Sequence, residues 1–206
     1  MGLQPIPIVV VVLASLIGSF GTRPMDAQSV ASTLDPYTSC QFSDGLQAVQ
    51  VDSLPPSVRS REVETDSGTQ RIDLEAGVRV MFAYPGTDFY ANVKAEQLPA
   101  VHYSQLKQIL LDSLQHLAPG NTINPSLNSP INGLEAHGLD RNTLEGGVLG
   151  IYLLFDNSSR IVTTIYFLNQ EPQNRKFQTL DEYHQLREQF LNSYSSCIRK
   201  NQQNSQ

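Results

Sequence analysis

Two stretches of the chain repeat their apolar residues every three or four positions, and most of the remainder alternates or clusters in short runs. Tyr103, Leu106, Leu110, Leu114 and Leu117 recur at helical spacing while Gln105, Lys107, Gln108 and Asp112 take the positions between. That pattern predicts an amphipathic helix over 102–117, stopped by Pro119-Gly120. The second stretch carries its own start signal. Thr179-Leu180-Asp181-Glu182 fits a capping box, in which the Thr side chain accepts from a free backbone N–H and the Glu reaches back. Leu180, Tyr183, Leu186, Phe190 and Tyr194 then trace one face, predicting a helix from 180 to about 198 with Cys197 on its inward side.

Strand signals occupy much of the rest. Leu46 to Val51, Arg61 to Thr65, Thr69 to Leu74, Val78 to Tyr84, Phe89 to Ala95 and Leu134 to Arg141 are short β-like runs bounded by turn residues. The second and third read as a hairpin across Asp66-Ser67-Gly68. Val78, Val80 and Phe82 alternate with Arg79, Met81 and Ala83, as one buried face requires. Val148 to Phe155 and Ile161 to Leu168 are rich in β-branched and aromatic residues and only five residues apart, so they are expected as a hairpin at the sheet centre. Asn121 to Pro130 is turn chemistry throughout and is expected as a surface loop. Antiparallel hairpins interrupted by one helix and closed by another predict an α+β fold, a mainly antiparallel sheet flanked by two helices in an α/β/α-type sandwich.

The N-terminus changes the picture. No charged residue occurs from Ile6 to Phe20, a run of signal-peptide length and short of the roughly 20 residues that span a bilayer. Residues 1–27 therefore read as a secretory signal, cut after Ala27 or alternatively after Ala31, although Met1 to Pro5 lacks the usual Lys or Arg and an uncleaved anchor is the alternative. Residues 28–39, small and polar, are expected as a flexible lead-in, 40–199 as a single domain and 200–206 as a frayed tail. Export places the protein in the periplasm or outside the cell. Cys40 and Cys197 are the only cysteines, and in an oxidising compartment they are expected to form one bridge between the two ends of the mature domain, worth about 5 kcal/mol on the chain-entropy account. Two buried free thiols are the other reading.

The element order and its local text resemble the Mog1/PsbP-like α/β sandwich group. The matching features are Asn92-Val93-Lys94 leading through Pro99 into the helix at Tyr103, Ile131-Asn132-Gly133-Leu134-Glu135-Ala136 opening the next strand, the hairpin of 148–168, and Phe190-Leu191-Asn192-Ser193-Tyr194 in the final helix. The likeness covers about Leu46 to Ile198. It implies a scaffold whose members mostly bind other proteins or assist the assembly of complexes.

Hydrophobic content of 40% and charged content of 17% are globular values. The net charge of -6, with Lys and Arg spread along the chain and never more than two in a row, argues against a nucleic acid partner and against a polybasic membrane contact. The sequence contains no nucleophile elbow, P-loop, dinucleotide fingerprint or zincin motif. Asp181, His184 and Glu188 share a helix face and could offer a metal one imidazole and two carboxylates, but first-turn acids and a solvated His–Glu pair explain them better. His102, His116 and His137 have no ligand spacing; Tyr84, Phe89 and Tyr90 around Pro85-Gly86 fit core packing ahead of a binding site; Gly146-Gly147 reads as a turn. Asn157-Ser158-Ser159 matches the glycosylation triplet in a predicted hairpin turn. The leading expectation is an exported, non-catalytic accessory or protein-binding domain with a protein partner in the cell envelope, no cofactor and no membrane-spanning segment in its mature part. A small-ligand or metal carrier is the alternative, and a secreted enzyme without a recognisable motif the third.

Overall fold

The computed structural model describes residues 27–43, 45–54, 60–65, 67–117, 123–144, 147–169 and 176–204. Their elements run α1 (Ala27–Thr38), β1 (Gln47–Ser53), β2 (Ser60–Thr65), β3 (Gly68–Asp73), β4 (Ala76–Ala83), β5 (Phe89–Gln97), α2 (Tyr103–His116), β6 (Ile123–Asn128), β7 (Glu135–Arg141), β8 (Val148–Asp156), β9 (Ile161–Asn169) and α3 (Leu180–Asn204). Seven strands form one antiparallel sheet in the order β1-β4-β5-β9-β8-β7-β6, and β2 and β3 form a separate hairpin. The protein is an α+β fold. Residues 1–26, and with them nearly all of the expected signal, lie outside the described residues.

The strongest strand signals do lie at the centre, where β9 pairs with β5 on one side and β8 on the other. Both faces of these strands are buried because successive side chains enter two different cores. Tyr152, Leu154, Ile165 and Phe167 pack with Leu34 and Tyr37 of α1 and with Tyr183, Phe190, Tyr194 and Ile198 of α3. Leu153, Phe155 and Val162 pack with Leu106, Ile109, Leu110 and Leu114 of α2 and with Ile72 of β3. Burying each of the large side chains contributes on the order of 1.5–3 kcal/mol.

The amphipathic patterns hold with shifted ends. On α2 the buried residues are Leu106, Ile109, Leu110 and Leu114, while Leu117 is exposed. The capping box of α3 is formed, with Glu182 N–H donating to Thr179 Oγ1 and Thr179 N–H donating to Glu182 Oε2, each at 3.2 Å.

Three expectations need correcting. The expected flexible lead-in is helical: α1 buries Leu34 and Tyr37, held by contacts with the sheet and α3 that a local reading of small polar residues does not reveal. The expected frayed tail is largely helical too, since α3 continues to Asn204, where Asn201 donates to the Pro36 carbonyl of α1 and Gln202 to Asp156 of β8. Helices therefore number three among the described residues, not two. The expected loop at 121–130 contains β6, an edge strand paired to β7 with a bulge between Pro125 and Leu127. A proline is tolerated there because an edge strand need not donate on both sides.

Candidate functional site

The first polar constellation joins the chain ends. Cys40 and Cys197 stand at disulfide distance, with Cα atoms 5.8 Å apart across 157 positions of sequence. That separation suits a bridge without backbone movement. Beside it, Tyr37 of α1 donates to Asp156 Oδ2 at 3.0 Å, Gln202 donates to the same oxygen at 2.6 Å, and Arg199 Nη1 lies 3.3 Å from it. Ser158 donates to Asp156 Oδ1 through its hydroxyl at 2.6 Å and its N–H at 3.2 Å. Burial alone would raise the Asp156 carboxyl, but the bonds from Ser158, Gln202, Ser159 and Tyr37 hold it well below the usual carboxylate range. Burial pushes the Tyr37 phenol up, so it stays a donor. Tyr194 closes the latch by donating to the Tyr37 carbonyl at 2.9 Å.

The second constellation lies on the same face of the sheet. Asp140 of β7 is 3% exposed; it accepts from Tyr183 at 2.9 Å and is ion-paired with Arg187. Two glycines make room for it. A Cβ at Gly150 would come within 2.4 Å of Asp140 Oδ1 and 2.3 Å of the Tyr183 hydroxyl, and one at Gly138 would strike the Tyr152 ring at 2.2 Å. The Arg187 guanidinium lies over that ring, 5.8 Å from its centroid. Its other nitrogen, Nη2, reaches Glu188 at 3.0 Å. Burial lowers the Arg187 pKa from its usual value and Glu188 opposes the shift. A cavity of about 190 Å³ opens beside the guanidinium, lined also by Leu127, Ile131, Tyr152, Glu188, Leu191 and Asn192.

The remaining expected residues scatter. His184 turns from the proposed metal set toward Asp140, with Nε2 3.8 Å from Oδ2, and Glu188 pairs with Arg187. Among the described residues no three His, Cys, Asp or Glu side chains gather as a metal site. His102 and His116 are exposed, whereas His137 Nε2 contacts Glu135 Oε1 at 2.9 Å. Tyr84 and Phe89 are core residues with ring centroids 5.9 Å apart, and Tyr90 is half-buried. Gly147 is a bend directly before β8, and Gly146 lies outside the described residues. Asn157 is engaged at both ends of its amide: Oδ1 accepts from Tyr103 at 2.8 Å and Lys107 at 3.1 Å, and Nδ2 donates to Glu135 at 3.1 Å. The Asp140–Arg187 cluster escaped sequence reading because its members are 47 positions apart and Arg187 sits among polar neighbours.

The two sheet edges differ. On β6, Pro125 removes an N–H and a bulge follows it, both of which blunt strand pairing. On β1, Val49 and Val51 are each 55% exposed, with no proline or lysine between Gln47 and Ser53. Val51 faces Val80 across the β1–β4 pair and so points to the α3 side of the sheet, yet the helices leave it uncovered. Leu127 of β6, by contrast, packs against the core. No family model, curated protein or solved structure matches the chain.

Proposed function

We propose that this is an exported, non-catalytic accessory domain, of the Mog1/PsbP-like kind, that binds a protein partner in the cell envelope. The observation that carries it is the open edge of β1. Among the described residues β1 is an edge strand of the sheet, and such a strand with two exposed valines offers main-chain hydrogen bonds and side-chain contact to an extended segment of another protein. The Cys40–Cys197 pair and the apolar run of residues 6–20 support export. The antiparallel sheet with helical cover supports the family reading.

The test compares the wild-type domain with Val51→Lys and Gln50→Pro as baits on envelope extract. A protein retained by the wild type and lost by both edge variants, at unchanged thermal unfolding, is the expected outcome. Equal retention by all three, or no enriched protein, overturns the proposal.

A further inference from the structure

The cavity beside Arg187 lies away from the β1 edge and invites a different occupant. Guanidinium carries five N–H donors. Arg187 makes two hydrogen bonds among the described residues, from Nη1 to Asp140 and from Nη2 to Glu188. Three donors are thus left without an acceptor on a residue that is only 8% exposed and lines the cavity. No Arg187 nitrogen is among the sealed, unpartnered side-chain atoms of the described residues, so these donors open onto the cavity, where an entering acceptor can meet them. Around the guanidinium the wall is apolar, made by Leu127, Ile131, Leu191 and the Tyr152 ring. Asn192 stands at the exposed rim; its Nδ2 donates to the Glu188 carbonyl at 3.0 Å, which leaves its side-chain oxygen as an acceptor.

Charge decides the class of ligand. Asp140 and Glu188 together outweigh the single positive charge of Arg187, so a carboxylate entering here would add a further negative charge where water is scarce. A neutral acceptor meets no such penalty. Size decides the rest: a cavity of about 150 Å³ holds benzene, and this one is about 190 Å³. We propose that the cavity binds a small neutral amide on a single-ring apolar body, its carbonyl accepting from Arg187 and its N–H donating to Asn192.

Benzamide and benzoate are the probes, titrated into the intact disulfide-bonded domain and followed by amide NMR shifts. Saturable benzamide shifts at Ile131, Leu191 and Asn192 are expected, with benzoate at least about tenfold weaker. Leu127→Phe, which fills the cavity, is expected to weaken benzamide at least about tenfold. Glu188→Gln changes only an exposed carboxylate and is expected to narrow the gap between the probes to about threefold or less. Shifts elsewhere in the domain, equal affinity for the two probes, or indifference to both variants overturns the proposal; loss of β1 binding leaves it untouched, because neither variant lies on that edge.

Discussion

Asp140 and Asp156 both leave the sheet on its α3 side, both accept from a tyrosine hydroxyl and both face an arginine of that helix. Their surroundings differ in one respect. Asp156 is satisfied mostly by neutral donors, two from Ser158 and one each from Tyr37 and Gln202, while its arginine, Arg199, is about a third exposed. Asp140 has a single neutral donor, Tyr183, and depends on an arginine that is 10% exposed at the side chain. At Asp156 a negative charge is shared over many dipoles to join two chain ends. At Asp140 it offsets a buried positive charge, which then has donors left over at a cavity. Similar residue types thus make a latch in one place and the wall of a binding site in the other.

Breaking the latch at its covalent member should have the largest effect. Replacing Cys40 and Cys197 with serine opens a 157-residue loop and is expected to lower the unfolding free energy by about 5 kcal/mol, measured by urea denaturation. A loss below about 2 kcal/mol would transfer the work of joining the ends to Tyr37, Gln202 and Asp156.

Next comes the buried pair. Asp140→Asn removes the charge that Arg187 needs and should cost about 3–5 kcal/mol, whereas Asp140→Leu with Arg187→Met should recover most of it. Asp156→Asn, which leaves hydroxyls and amides wanting an acceptor but no deeply buried cation, should cost about 1–3 kcal/mol. Equal costs for the two asparagine variants would erase the distinction. Acid sharpens it further. Because the Asp156 carboxyl is held below its unfolded value, its contribution is complete above that value, roughly pH 4, and is lost as pH falls toward the folded one. Stability measured between pH 5 and pH 2 should therefore fall less steeply in Asp156→Asn than in the wild type.

The sequence made some of this visible and hid the rest for identifiable reasons. The α3 face was legible because Tyr183, Phe190 and Tyr194 repeat at helical spacing behind a capping box, and the central hairpin because Val148 to Leu168 is apolar on both sides of a polar turn. Those signals are local. The α1 helix was hidden since Leu34 and Tyr37 are isolated large residues in a polar segment, and only long-range contacts hold them. β6 was hidden because edge pairing overrides turn-forming composition. The Asp140 cluster is assembled from β7 and α3, and no spacing rule links them, although Gly138 and Gly150 in strand interiors were a signal of close approach.

A third carboxylate, Glu135, completes the comparison at the surface and sets its lower limit. It meets Lys107, His137 Nε2 at 2.9 Å and Asn157 Nδ2 at 3.1 Å, and Tyr103 joins through Asn157 at 2.8 Å, so the ingredients match those of the buried sites. Here, though, the Glu135 side chain is 34% exposed, and water competes for every bond. Partial burial alone would raise its carboxyl, but the bonds from Lys107, His137 and Asn157 prevail and hold it at about 2. The lowered value means that the network stabilises the fold above the unfolded carboxyl's pKa, near pH 4, and that this contribution is lost as pH falls toward 2. Lys107→Met removes the ammonium, and with it the pairing with Glu135, the bond to Asn157 and the contact 5.1 Å from the Phe155 ring centroid, all at a partly exposed site. Its expected cost is therefore at most about 1 kcal/mol. The same variant should move the Glu135 carboxyl-carbon titration, followed by NMR, upward toward the ordinary glutamate range. A cost approaching that of Asp140→Asn would mean that burial is not what separates the three carboxylates. An unmoved titration would mean that His137 and Asn157 suffice to hold Glu135 low.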